Sequence, residues 1–127
     1  KSLVKELKME NRIEFLGRID DRELLNQYAK CRAVAFPTYM EDYGLIVLEA
    51  FSSGKAVITP EDSGGPAELV ENGKTGFVSQ AEIAAYGNAL QMLMDDKSMA
   101  EKMGAAALEE NRNHTWANAI EKLVEWE

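Results

Sequence analysis

Ala33 to Thr59 reads AVAFPTYMEDYGLIVLEAFSSGKAVIT, and its hydrophobic pattern changes period twice within that span. Ala33 to Phe36 is a short apolar run closed by Pro37, the pattern of a strand buried on both faces. Leu45 to Phe51 (LIVLEAF) is a helix by its composition, and after Gly54 the run Ala56 to Thr59 returns to strand. Strand, helix and strand at this spacing imply a right-handed βαβ unit and a parallel sheet covered on both faces.

The same alternation extends outward. Upstream, Ile13 to Leu16 reads as a strand ending at Gly17, and Asp20 and Asp21 stand where a cap should precede a helix over Glu23 to Lys30. Lys1 to Lys8 has the look of an amphipathic helix. Downstream, Pro60 to Pro66 (PEDSGGP) is a loop, Ala67 to Glu71 a short helix ended by Asn72 and Gly73, and Gly76 to Ser79 a further extended piece. The remainder is helical over Glu82 to Met94, Ser98 to Asn111 and Trp116 to Trp126. Ser98 is the expected cap of the second of these, with Glu101 completing a capping box, and Thr115 that of the third. The expected fold is α/β, a Rossmann-like parallel sheet with flanking helices. It forms one domain over 1–127, with a core over 11–79 and C-terminal helices over 82–127.

Composition narrows the function. The chain has 127 residues, 46% of them hydrophobic, and a formal net charge of −8, which argues against a surface that neutralises nucleic-acid phosphates. Cys31 is the single cysteine, so an intrachain disulfide is impossible and a reducing, cytoplasmic compartment is expected, compatible with a peripheral position at a membrane. No apolar run approaches the roughly 20 residues of a membrane span. The first residue is Lys1, within what reads as a helix, and the chain is expected to be part of something longer.

Within LIVLEAF every direction around the helix axis is apolar except that of Glu49, so the helix is expected to be buried and its one carboxylate to need a partner. A ribose offers two vicinal hydroxyls to the two carboxylate oxygens; an Arg or Lys elsewhere in the fold would serve as well. Tyr43, Gly44 and Leu45 should open this helix, presenting free N–H groups and the positive end of its dipole just past a strand's carboxyl end, where α/β sheets collect ligands. Gly44 would let a phosphate approach the backbone, or serve only as a turn residue. Glu41, in the loop, has two readings as well: accepting hydrogen bonds from a sugar while stabilising positive charge at an anomeric carbon, or capping the helix, a role Asp42 could share.

Taken in order, Gly17-Arg18-Ile19, Phe36-Pro37, EDYGLIVLEA, SGKAVIT and SGGPAELVENGKTGFV resemble the retaining GT-B glycosyltransferases of the large GT4 family, the glycosyl transferases group 1. The likeness is closest over Asn11 to about Val78, and the E-x7-E signature from Glu41 to Glu49 is its most specific part. It implies the C-terminal, donor-binding domain of such an enzyme, with an NDP-sugar as donor and no metal. By this resemblance Glu41 is catalytic and contacts the donor sugar, Glu49 holds the ribose, and the amides over Tyr43, Gly44, Leu45 and Ile46 meet sugar and phosphate. The backbone of Arg18 and Ile19 would lie against the base, and Gly64, Gly65 and Glu68 would border the cleft. The acceptor would bind mainly to an N-terminal domain outside this chain, and the last helix would pack back toward that domain with part of its apolar side exposed. Asp42 departs from the family's usual glycine and adds a negative charge near the diphosphate. The implied reaction is transfer of a hexose-type sugar, which the fragment alone should not complete. A noncatalytic α/β module binding a nucleotide or a protein, and an NDP-sugar epimerase of similar fold, are the alternatives.

Other signals are weaker. The acid pairs Asp20-Asp21, Glu61-Asp62 and Asp95-Asp96 lack the D-x-D spacing of metal-dependent transferases, and His114 is the only histidine. Met92, Met94, Met99 and Met103 read as core filling.

Overall fold

The computed structural model describes residues 1–124. Helix α1 spans Ser2–Glu6, α2 Asp21–Lys30, strand β1 Ala33–Ala35, α3 Leu45–Ser52, β2 Ala56–Pro60, α4 Gly65–Leu69, β3 Gly76–Ser79, α5 Ile83–Asp95, α6 Lys97–Asn111 and α7 Trp116–Val124. The strands form one parallel sheet in the order β1-β2-β3, with Val34 opposite Val57 and Ile58 opposite Phe77.

Side chains alternate across β2, and each face recruits its own layer. Val57 joins Tyr28, Val47, Ala50 and Phe51 from α2 and α3. Ala56 and Ile58 point the other way, into Ala89, Leu93, Ala100 and Met103 of α5 and α6. All five residues of β2 are buried, and burying each aliphatic side chain there contributes about 1.5–3 kcal/mol. An Asp at Val57 would break this centre, since its charge would have no partner in an apolar layer. Helices α5 and α6 thus form the second layer, and α6 also reaches α3, placing Ala107 in the first cluster.

Several expectations need correction. Ile13 to Leu16 is extended but forms no strand, because a strand requires a ladder partner for its N–H and C=O groups and none lies beside it among the described residues. Ile13, Phe15 and Leu16 remain 39–52% exposed. Helix α1 buries no residue. The short helix α4 starts two residues before the expected Ala67, because Pro66 occupies its first turn, where a missing N–H costs nothing. Asp96 and not Ser98 caps α6, accepting from the Met99 N–H at 2.8 Å. Met92 and Met94 are exposed, whereas Met103 is buried.

Other local readings agree. The Asp20 carboxylate accepts from the Glu23 N–H at 2.8 Å and starts α2, and the Thr115 hydroxyl accepts from Asn118 N–H at 3.2 Å at the start of α7. Ile120 and Val124 of α7 are exposed; Trp126 lies outside the described residues.

Candidate functional site

Gly44 determines how α3 begins. It adopts left-handed backbone (φ 76°, ψ 47°), and a Cβ there would meet Pro66 Cγ at 2.8 Å, so only glycine fits between the loop and α4. No side chain caps the helix, and its first turn holds no acidic residue. The capping roles open to Glu41 and Asp42 are therefore not used. Val47 N–H bonds back to the Gly44 carbonyl at 2.9 Å, while the N–H groups of Leu45 and Ile46 meet no acceptor among the described residues. The positive end of α3 thus opens to solvent between the exposed side chains of Tyr43, Leu45 and Ile46.

The loop before it is pinned through its backbone. Met40 N–H donates to Asp62 O at 3.0 Å, Glu41 N–H to Ser63 O at 2.8 Å, and Gly65 N–H to Glu41 O at 2.8 Å. These bonds make an isolated parallel bridge between Glu41 and Gly64, which carries the β1–β2 pairing past the strand ends. Gly64 and Gly65 are obligatory beneath it, since a Cβ on either would stand 2.7 Å from the carbonyl oxygen of Glu41 or Asp42. Met40 at φ 47° is a non-glycine residue in left-handed backbone, a conformation held by the surrounding bonds. With its backbone fixed from below, Glu41 presents an exposed side chain.

Glu49 differs from its expected setting. Val47, Ala50 and Phe51 are buried, but Leu45, Ile46 and Glu49 form an exposed face of α3. The helix is covered on one side only, because nothing among the described residues packs on the other. The carboxylate has neither Arg nor Lys as a partner among the ion pairs of the described residues. Tyr28 of α2 donates its hydroxyl to Glu49 Oε2 at 3.1 Å. Burial pushes the Tyr28 hydroxyl up to about 12, and the bond to Glu49 and its charge act in the same direction. The phenol is therefore a permanent donor at neutral pH.

Glu41, Tyr43, Gly44, Leu45, Ile46 and Glu49 thus lie along one continuous stretch, from the end of the loop to the second turn of α3. Arg18 and Ile19 precede the Asp20 cap of α2, and no hydrogen bond or ion pair joins either to α3. Sequence reasoning missed Tyr28, whose only signal was its place four residues after Leu24 on the inward face of α2. It also missed an apolar cleft of about 530 Å³ at the carboxyl ends of the strands, lined by Pro37, Tyr39, Pro60, Ile83, Tyr86 and Gly87. That cleft lies on the α5 side and includes neither glutamate. No group of three His, Cys, Asp or Glu side chains stands close enough to hold a metal among the described residues. No helix there is long and apolar enough to cross a membrane.

A Rossmann-like parallel sheet with helices on both faces and the start of α3 at its carboxyl rim defines the open α/β class, whose ligands collect at the strand ends. The family model described as "Glycosyl transferases group 1" matches residues 1–110, and the chain belongs to that family. It is 37% identical over 122 residues to a D-inositol 3-phosphate glycosyltransferase of Corynebacterium diphtheriae, covering 95% of this chain and 28% of the relative. Among solved structures it is similar to sucrose-phosphate synthase from Thermosynechococcus elongatus, with a TM-score of 0.86 and 28% identity over 98% of this chain and 32% of that one. It is also similar to the Anabaena protein HepE in complex with UDP and glucose, with a TM-score of 0.81 and 28% identity over 98% of this chain and 34% of that one. The chain therefore spans about a third or less of the length of these proteins.

Proposed function

We propose that this chain is the nucleotide-sugar-binding part of a retaining glycosyltransferase that moves a hexose-type sugar from an NDP-sugar to an acceptor. The observation that carries the reading is the exposed face of α3, which joins unpaired amides at its start to the Glu49 carboxylate one turn later. A diphosphate fits the amide end, where N–H groups and the helix dipole favour an anion. Glu49 then accepts from the ribose hydroxyls, and Glu41, one residue beyond the exposed Met40, accepts from hydroxyls of the sugar. The backbone of Arg18 and Ile19 is assigned to the base. HepE, solved with UDP and glucose, supports a donor of this kind.

In the reaction, the bond between the anomeric carbon and the diphosphate oxygen breaks and its electron pair leaves with the diphosphate. The Leu45 and Ile46 amides stabilise that departing charge, and Glu41 stabilises the positive charge left on the sugar. An acceptor hydroxyl, held mainly by a further domain, forms the new bond to the anomeric carbon on the face that the diphosphate leaves, and its proton passes to the departing diphosphate oxygen. No covalent carboxylate intermediate is needed. Asp42 is exposed, so solvent and salt screen its repulsion of the diphosphate.

The test is a calorimetric titration with UDP-, GDP- and ADP-sugars, with donor hydrolysis followed in the full-length protein. The reading expects one base to bind preferentially and its donor to be consumed; neither binding nor consumption with any of them rules the transferase out.

A further inference from the structure

Glu49 is exposed on α3, yet one of its oxygens is fixed by a residue from another helix. Tyr28 is only 8% exposed, its ring belongs to the apolar cluster of Leu24, Val47, Ala50 and Phe51, and its hydroxyl meets Glu49 Oε2 at 3.1 Å. We propose that Tyr28 is a positioning residue for ligand recognition: its hydroxyl fixes Glu49 Oε2 and so aims Oε1 at a vicinal diol, the ribose of a nucleoside diphosphate. This rests on the assignment of Glu49 to the ribose.

Three observations favour this over a simple pin between α2 and α3. Tyr28 belongs to the same buried apolar cluster as Val47, Ala50 and Phe51, and phenylalanine would contribute the same ring to it. The hydroxyl makes one hydrogen bond, to Glu49. An exposed glutamate otherwise distributes itself over several rotamers, each of which would have to be given up when a ligand binds.

The chemical type of the partner matters as well. An arginine in place of the phenol would take both carboxylate oxygens in a bidentate pair and neutralise them. A phenol donates once and leaves the negative charge in place, and the raised Tyr28 hydroxyl keeps its proton throughout the neutral range. Oε1 accepts no hydrogen bond among the described residues. The carboxylate is thus prealigned and still able to accept from neutral hydroxyls, as a sugar diol requires.

The experiment measures binding of UDP, GDP and ADP and of their 2′,3′-dideoxy counterparts to the wild-type chain, Tyr28→Phe, Glu49→Gln and the double variant. For the base that binds, Tyr28→Phe should weaken the ribonucleotide about fivefold, the usual effect of one hydrogen bond, and leave the dideoxy nucleotide within about twofold. In the Glu49→Gln background the tyrosine substitution should add nothing further. Equal weakening of both nucleotides by Tyr28→Phe, or a full additional loss in the double variant, would show that Tyr28 acts only on the fold and would overturn the proposal. A wild-type chain that binds ribo- and dideoxynucleotides equally would instead remove Glu49 from the ribose, and one that binds no nucleotide would remove the donor reading altogether. Thermal unfolding of each variant shows that all are folded at the titration temperature.

Discussion

Gly64 lies under the backbone of Glu41 so closely that a Cβ on Gly64 would stand 2.7 Å from the Glu41 carbonyl oxygen, while the glycine itself holds φ 77° and ψ −128°. A side chain there would be strained by its own backbone and would push up the segment that presents Glu41. Gly64→Ala is expected to destabilise the chain by about 2–4 kcal/mol, combining the cost of a glycine-only conformation with overpacking. Gly17 provides the control, because it also has a positive φ of 67° but a Cβ there would meet no atom within 4 Å. Gly17→Ala should cost only about 1–2 kcal/mol. Urea unfolding of both variants checks the ranking.

Two helical glycines should respond with opposite signs. A Cβ on Gly104 of α6 would overlap the Gly54 carbonyl oxygen, in the turn between α3 and β2, whereas Gly87 of α5 faces open space. Gly104→Ala should lower stability by at least about 1–3 kcal/mol through overpacking. Gly87→Ala should raise it by about 1 kcal/mol, since alanine is the better helix former and loses less freedom on folding. Melting temperatures moving in the same direction would contradict the packing described for α6.

The phenols of Tyr28, which is buried, and Tyr86, which is half-buried, predict an alkaline loss of stability. Burial raises the hydroxyls of Tyr28 and Tyr86 to about 12 in the folded chain, against an ordinary value of 10.0. The unfolded chain therefore releases these protons first, and stability present below pH 10 should fall as pH rises from about 10 to about 12. Urea midpoints at pH 9 and pH 11.5 should differ less in Tyr28→Phe and Tyr86→Phe than in the wild type.

The two glutamates should separate kinetically in the full-length protein that carries this chain. Glu41→Ala is expected to lower kcat about a hundredfold, as when a group that meets transition-state charge is removed. Glu49→Gln should act mainly on nucleotide binding and so raise KM. Equal and small changes in both constants for both variants would mark them as structural.

The βαβ centre was legible because its signals are local: apolar runs of strand length closed by Pro37 and preceded by Gly54, with a helical run between. The opening of α3 at Gly44 was legible for the same reason, as was the Asp20 cap. What escaped depends on contacts distant in sequence. Ile13 to Leu16 has strand composition, but composition cannot say whether a neighbour will complete its ladder. LIVLEAF is apolar on nearly every side, yet which side is covered is decided by α2, α6 and the sheet, and they leave Leu45, Ile46 and Glu49 exposed. Tyr28 and Glu49 are 21 positions apart, too far for any periodic pattern to link them. At α6, Asp96 and Ser98 were both suitable caps, and only the path of the turn from α5 chose between them.

On the proposed function, the amino end of α3 receives the donor's diphosphate. The most direct test is a titration of the ¹⁵N-labelled chain with UDP, GDP and ADP, followed by amide chemical shifts. The nucleotide that binds should move the Leu45 and Ile46 amides most, with Tyr43 and Gly44 next, and Glu49→Gln should shift the same amides only at higher nucleotide concentration. Perturbations centred on Ile83 to Gly87 in the apolar cleft, with the α3 amides unmoved, would contradict it.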